Sequence, residues 1–125
     1  MQHLHLTLAS LICTMLAWSS AEANCVLPVP DGGDTEPSGA NVEGYVESIS
    51  QDRMVVIRTN AQHRVVIKIP LGQHIYTAFG GDGEVADLKP GQRAWVWFQG
   101  CKRTKASVQV SAYFRIYSKD PNDQP

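Results

Sequence analysis

The sequence predicts a small all-β barrel, on three observations. Apolar and polar residues alternate along several short stretches, as they do along half-buried strands. Glycine and proline separate these stretches and predict turns between them. The stretches come in the order of an OB-fold: three strands, a loop with at most one turn of helix, then two more strands. We therefore expect a five- to six-stranded OB-fold-like Greek-key barrel with an extended N-terminal arm, and a small open sandwich is the competing architecture.

The segment Asp87–Gln99 is the clearest of these patterns. Pro90 and Gly91 predict a tight turn, because proline fixes φ and glycine accepts the positive φ of a reversal. Arg93–Gln99 then predicts a strand with two different faces. Its inward face holds Ala94, Val96 and Phe98, and its outward face holds Arg93, Trp95, Trp97 and Gln99.

Other stretches predict the remaining strands. They are Asn41–Ser50, Met54–Thr59, Arg64–Ile69 and Ala106–Tyr117, with a short extra strand within His74–Phe79. Gly44 inside the first strand predicts a sharp bend of the kind that closes barrels. Alternation places Ser48 on the same face as Val42 and Val46. In the last strand it predicts a buried face of Val108, Val110, Ala112, Phe114 and Ile116.

The N-terminal segment predicts export. Leu4–Trp18 is mostly apolar, and Ala21-Glu22-Ala23 matches the cleavage pattern of a secretory signal peptide. The apolar run falls short of the ~20 residues of a spanning helix, which argues against an uncleaved anchor. The predicted organisation is a signal peptide at 1–23, an arm at 24–40, a barrel at 41–117 and a polar tail at 118–125. The predicted location is the periplasm or the medium, with no membrane span after cleavage.

The cysteines agree with an exported protein. Cys13 leaves with the signal peptide, so Cys25 and Cys101 remain. An even pair in an oxidising compartment most simply forms a disulfide, which here joins the arm to the turn after the tryptophan-rich strand.

Charge is balanced overall and uneven along the chain. Eleven Lys and Arg oppose twelve Asp and Glu, which gives a net charge of −1. All eleven basic residues follow Asp52, whereas the stretch from Asn24 to Asp52 holds only acidic ones. A basic face for an anionic partner is one interpretation. We favour the other, in which the two halves complement each other within one fold.

Several short motifs carry a family resemblance. They are Gly44-Tyr45-Val46-Glu47-Ser48-Ile49, the I-Y-T of Ile75–Thr77, and the turn Asp87–Arg93 leading into Trp95-Val96. This spacing resembles that of small exported bacterial OB-type domains, many of them of unknown function. The resemblance covers residues 41–117 and implies the fold. It implies no catalytic residue.

The outward side chains of the last two strands predict a binding face. They are Arg93, Trp95, Trp97, Tyr113, Arg115 and Tyr117. Aromatic rings interleaved with arginines form platforms on which rings or partner side chains stack. The alternative is packing, in which these rings cover the barrel or lie under the arm. The usual ligand face of an OB-fold lies instead on the second and third strands, where Arg58, Arg64 and Lys68 are the candidate contacts.

Function is less determined than fold. No nucleophile stands in a catalytic motif, so we expect no enzyme and no cofactor. We therefore expect a binding or adaptor module. Export argues against nucleic acid as its partner and leaves an envelope protein, a peptide or a glycan. The sequence does not predict the oligomeric state. The alternative is copper or zinc handling by His63 and His74 with Met54 and the cysteines, although nothing in their spacing places them together.

Overall fold

A computed structural model describes residues 24–29 and 35–125. The predicted signal peptide at 1–23 and residues 30–34 of the predicted arm lie outside the described residues. No helix in the described part is long and apolar enough to cross a membrane.

Seven strands and two single 3₁₀ turns make up the fold in the described part of the chain. The strands are β1 (Val42–Ile49), β2 (Met54–Thr59), β3 (Arg64–Lys68), β4 (Ile75–Thr77), β5 (Asp82–Gly83), β6 (Arg93–Phe98) and β7 (Val108–Ile116). The 3₁₀ turns are Val85–Asp87 and Gln99–Cys101. The first of them is the turn of helix that the sequence predicts before Pro90.

The barrel closes through a parallel contact between β3 and β7. The strand order is β3-β2-β1-β6-β7-β4-β5, and β3 pairs again with β7 over Val66↔Val108 to Lys68↔Val110. Five strands therefore form a closed OB-fold-like barrel, as predicted. The predicted extra strand is β4. It pairs in parallel with the C-terminal part of β7, and its other edge pairs with β5 in an antiparallel arrangement.

The core lies inside the barrel and follows the alternation of the strands. Ala94, Val96 and Phe98 are buried along β6, which confirms the predicted inward face. Val65, Ile67 and Ile69 are buried along β3 and just after it. The remaining members of the core are Val42, Val46, Val55, Ile57, Ile75, Leu88, Phe114 and Ile116.

Two β-bulges overturn part of the predicted faces. The register of β1 against β2 shifts between Val46 and Ser48, so Ser48 is exposed and Ile49 packs against the core instead. The register of β7 shifts between Ser111 and Tyr113. Before that shift Gln109 and Ser111 point inward.

The placement of Val108, Val110 and Ala112 on the buried face of β7 is therefore wrong. Val110 is 39% exposed, whereas Phe114 and Ile116 beyond the bulge are buried as predicted. A bulge adds one residue to one strand and reverses every face beyond it, which simple alternation cannot anticipate. The inward polar groups are satisfied, since the Ser111 hydroxyl donates to Gln73 Oε1 at 2.6 Å.

The arm is fastened at the start of β1. A disulfide joins Cys25 to Cys101, as predicted. Asn41 donates to the carbonyl oxygen of Cys101 at 2.9 Å and accepts from the Phe98 amide at 2.8 Å. Ser38 donates its amide to the Val26 carbonyl at 2.8 Å. These bonds hold the described parts of the arm against the β6–β7 end of the barrel.

Candidate ligand-binding face

Aromatic and cationic side chains lie next to one another on the outer surface of β6 and β7. The strand register places Trp95 opposite Arg115 and Trp97 opposite Tyr113. On the other side of β7, Tyr76 of β4 lies opposite Arg115. We name this set the aromatic–arginine face, and its members are Tyr45, Tyr76, Arg93, Trp95, Trp97, Tyr113 and Arg115.

Arg115 lies at the centre of the aromatic–arginine face. Its guanidinium carbon is 5.2 Å from the ring centroids of both Trp95 and Trp97. Such distances are within the range of cation–π attraction, about 6 Å. Arg115 makes no hydrogen bond or ion pair with any described residue, and its Nε is buried without a partner. An unpaired buried donor is uncommon in native proteins and calls for an explanation.

Arg93 is the other arginine of the face, and it is fully engaged. It forms an ion pair with Glu43 and donates to Asn60 Oδ1 at 3.0 Å. Its guanidinium also lies 4.9 Å from the ring centroid of Tyr45 and 5.8 Å from that of Trp95. Only 9% of the residue is exposed. Arg93 therefore joins β1 to β6 and holds the neighbouring rings in place.

The arm covers one end of the face. The Trp97 indole is buried and donates to the Ser38 carbonyl at 2.6 Å. Tyr113 meets Trp97 edge to face at 5.4 Å and stacks on Tyr76 at 4.8 Å. Burial raises the pKa of the Tyr113 phenol above its ordinary value. The packing interpretation thus applies to Trp97 and Tyr113, which the sequence named as candidate contacts.

Two openings remain on the rest of the face. A recess of about 110 Å³ lies beside Arg115, with Tyr113 in its wall and Pro28 and Val29 of the arm on its rim. A wider groove of about 640 Å³ runs past Tyr45, Arg93 and Trp95 toward the last residues of the chain, Gln124 and Pro125. Trp95 and Arg115 are both partly exposed, so a ligand in the groove reaches Trp95 and a ligand in the recess reaches Arg115.

The second predicted face, on β2 and β3, is occupied by contacts within the chain. Arg58 and Arg64 both pair with Glu47, the latter through Nε at 2.9 Å from Oε2. Their hydrogen bonds hold the pKa of the Glu47 carboxyl below its ordinary value. Lys68 donates to the Asp52 carbonyl. These three cations have partners already, whereas Arg115 has none among the described residues.

The same ion pairs explain the uneven charge along the chain. Glu43 and Glu47 come from the acidic first part, and Arg58, Arg64 and Arg93 come from the basic second part. The two parts meet where β1 pairs with β2 and β6. This arrangement agrees with the interpretation that the halves complement each other within one fold.

The predicted metal ligands lie apart. His63 precedes β3 and His74 follows its far end, with the strand between them. Cys25 and Cys101 are joined in a disulfide and offer no thiolate. Within residues 24–29 and 35–125, no group of three or more His, Cys, Asp or Glu side chains is placed to hold a metal ion.

Sequence reasoning missed three residues that matter for this face. Alternation places Tyr45 on the face of the first strand opposite Val46, but it does not connect Tyr45 with Arg93, although the OB order makes the first strand and the tryptophan-rich strand neighbours. Tyr76 lies in the I-Y-T stretch, and nothing there indicates that it pairs with β7. Asn60 lies in the turn after β2, and its contact with Arg93 follows only from the closed barrel.

Comparison with known proteins returns no relative. No protein-family model, no curated protein and no solved structure matches this chain.

Proposed function

We propose that this protein is a non-catalytic binding or adaptor module of a periplasmic or secreted compartment, and that it recognises an envelope component at the aromatic–arginine face. The observation that carries the proposal is the exposed part of that face. Trp95 and Arg115 stand on paired strands of a closed barrel, where Trp95 lines the groove and Arg115 lines the recess. Side chains on strands are held more firmly than side chains on loops, which favours recognition.

The compartment is supported by the disulfide. Structural disulfides persist in oxidising compartments and are rare in the cytosol. The Cys25–Cys101 bond also fixes the arm beside the face, since Pro28 and Val29 line the recess. An exported location makes nucleic acid an improbable partner and favours a protein, peptide or glycan.

The non-catalytic role is inferred from the chemistry of the face. Its members carry guanidinium, indole and phenol groups. The carboxylate beside them, Glu43, is paired with Arg93. Tryptophan, tyrosine and arginine are the residue types most enriched among the hot spots of binding interfaces. They suit recognition better than reaction.

Replacement of Trp95 by alanine tests the proposal. We expect the wild type to bind members of a panel of immobilised peptides and cell-envelope oligosaccharides. Trp95→Ala should lose at least about tenfold in affinity, because truncation of a hot-spot aromatic residue costs about 2 kcal/mol or more. Surface plasmon resonance on the defined panel measures this.

Leu71→Ala is the matched control for that experiment. Leu71 is 89% exposed on the turn after β3, so its truncation removes an apolar surface side chain without touching the face. Circular dichroism establishes that both variants are folded. Equal binding by wild type and Trp95→Ala, or no binding to any member of the panel, contradicts the proposed function.

A further inference from the structure

We propose that Arg115 is the ligand contact of the aromatic–arginine face and that it takes a carboxylate group of a peptide partner. This rests on the proposed function and names the ligand chemistry at the same site. The aromatic rings then hold the cation in position, and the cation makes the specific contact.

The rings of the face are already in contact with one another or with the two arginines. Trp95 has a guanidinium at 5.2 Å and a second at 5.8 Å. Trp97 has Arg115 at 5.2 Å and the edge of Tyr113 at 5.4 Å. Tyr113 stacks on Tyr76 with ring planes 8° apart. A flat ligand that stacked between these rings would have to displace contacts that the fold makes for itself, which leaves only the exposed part of Trp95 for ring contacts.

The two arginines of the face differ in whether their guanidinium groups already have hydrogen-bond acceptors. Arg93 is bonded to Glu43 and Asn60, and its side chain is mostly buried. Arg115 has two rings against it but no described acceptor, and its Nε is buried without a hydrogen bond. Burying part of a charged guanidinium without an acceptor is costly, and an oxyanion bound at its Nη groups offsets part of that cost through charge attraction.

The shape of the site selects a carboxylate. A guanidinium with rings stacked against it keeps only its edge for hydrogen bonds, and a planar carboxylate matches that edge with two parallel bonds. Phosphate commonly gathers several cations or a nest of backbone amides. In the described part of the face, Arg115 is the one cation that lacks a partner.

The size of the recess favours a peptide as the carrier. Its volume of about 110 Å³ corresponds to roughly four water molecules at ~30 Å³ each. A carboxylate on the methylene arm of Asp or Glu, or at a chain end, reaches such a recess without its backbone entering. The carboxylate of a uronic acid is attached directly to a sugar ring, so the ring itself would have to enter the recess.

Nuclear magnetic resonance on the ¹⁵N-labelled protein tests the proposal with two matched peptides, acetyl-Gly-Ala-Glu-Ala-Gly-amide and its Gln counterpart. We expect the Glu peptide, and not the Gln peptide, to shift the Nε–H signal of Arg115 and the indole signals beside it. Arg115→Lys should weaken binding about tenfold or more, because lysine loses the planar pair of bonds. Arg58→Lys should bind like the wild type, since Arg58 is engaged with Glu47.

Four results would overturn the proposal. If the Gln peptide, or a neutral ligand found on the panel, binds equally well through Trp95, the face binds without a carboxylate contact and the proposed function survives alone. If a galacturonate trimer shifts the signals and the Glu peptide does not, the carrier is a sugar. Saturable binding of inorganic phosphate at Arg115 would assign the site to phosphate. Asp31 and Asp34 lie outside the described residues. If the Glu peptide binds only to the double variant Asp31→Asn and Asp34→Asn, a carboxylate of this chain itself occupies Arg115.

Discussion

Gly44→Ala should destabilise the protein by about 3 kcal/mol or more, because the added methyl group has no room. A Cβ built on Gly44 would lie 2.1 Å from the carbonyl oxygen of Arg58 and 3.0 Å from the Cγ2 of Ile57. The oxygen belongs to the backbone of β2, so no rotamer change relieves the clash. On its other side β1 is paired with β6 through Gly44↔Ala94, which prevents β1 from moving away. Urea unfolding monitored by circular dichroism measures the loss.

Gly39→Ala is the control for that substitution. A Cβ at Gly39 meets nothing within 4 Å. We expect a change within about 1 kcal/mol, since the substitution only restricts the unfolded chain. If both variants unfold at the same urea concentration, β1 and β2 are not as closely apposed at Gly44 as the barrel requires.

Removal of the disulfide by the double change Cys25→Ser and Cys101→Ser should lower the free energy of unfolding by about 2–4 kcal/mol. The bond joins residues 76 positions apart. Cross-linking such a distance restricts the unfolded chain strongly, which is the main source of stabilisation in the chain-entropy account. For a domain of about 100 residues, the melting temperature should fall by about 10 °C or more.

The same change should also loosen the arm over the face. The indole N–H of Trp97 donates to the carbonyl of Ser38, close to the tether. We expect faster hydrogen exchange at that indole in the double variant. The exchange rate of the Trp95 indole should change less, since that indole makes no hydrogen bond with the described part of the arm. An unchanged melting temperature together with a protected Trp97 indole would show that the hydrogen bonds of Ser38 and Asn41 hold the arm without the bond.

The barrel could be predicted from the sequence because its signals are local. Alternation along Arg93–Gln99 and Arg64–Ile69, with Pro90 and Gly91 at a turn, fixes strands and turns without knowledge of their partners. The order of these strands then restricts the topology to few choices. The disulfide could be predicted because the predicted cleavage leaves two cysteines, which allow a single pairing.

The faces of β1 after its bulge and of β7 before its bulge could not be predicted in the same way. A bulge such as that between Ser111 and Tyr113 depends on how β7 curves against β6, and the residues around it look like any alternating run. The outcome matters for Val110, which is exposed, and for Gln109, which is buried and hydrogen-bonded within the turn at Thr104.

The candidate site could be predicted only in part from the sequence, for a related reason. The sequence identified the arginines and aromatic residues of β6 and β7, but it did not separate those with partners from those without. Arg93, Arg58 and Arg64 find carboxylates only when β1 lies between β2 and β6. The distinction between Arg115 and the other cations therefore depends on contacts distant in sequence, which a pattern of residue types does not contain.

The unfolding free energies of Arg115→Met and Arg93→Met test most directly whether Arg115 is kept for a ligand and not for the fold. Methionine retains the apolar stem of arginine in both variants. Arg93→Met leaves Glu43 and Asn60 without a partner and should lower the stability by more than about 1 kcal/mol. Arg115→Met removes a buried donor that has no described acceptor, so its stability should stay near that of the wild type or rise. A loss in Arg115→Met as large as that in Arg93→Met would mean that Arg115 is a structural residue and would contradict the account.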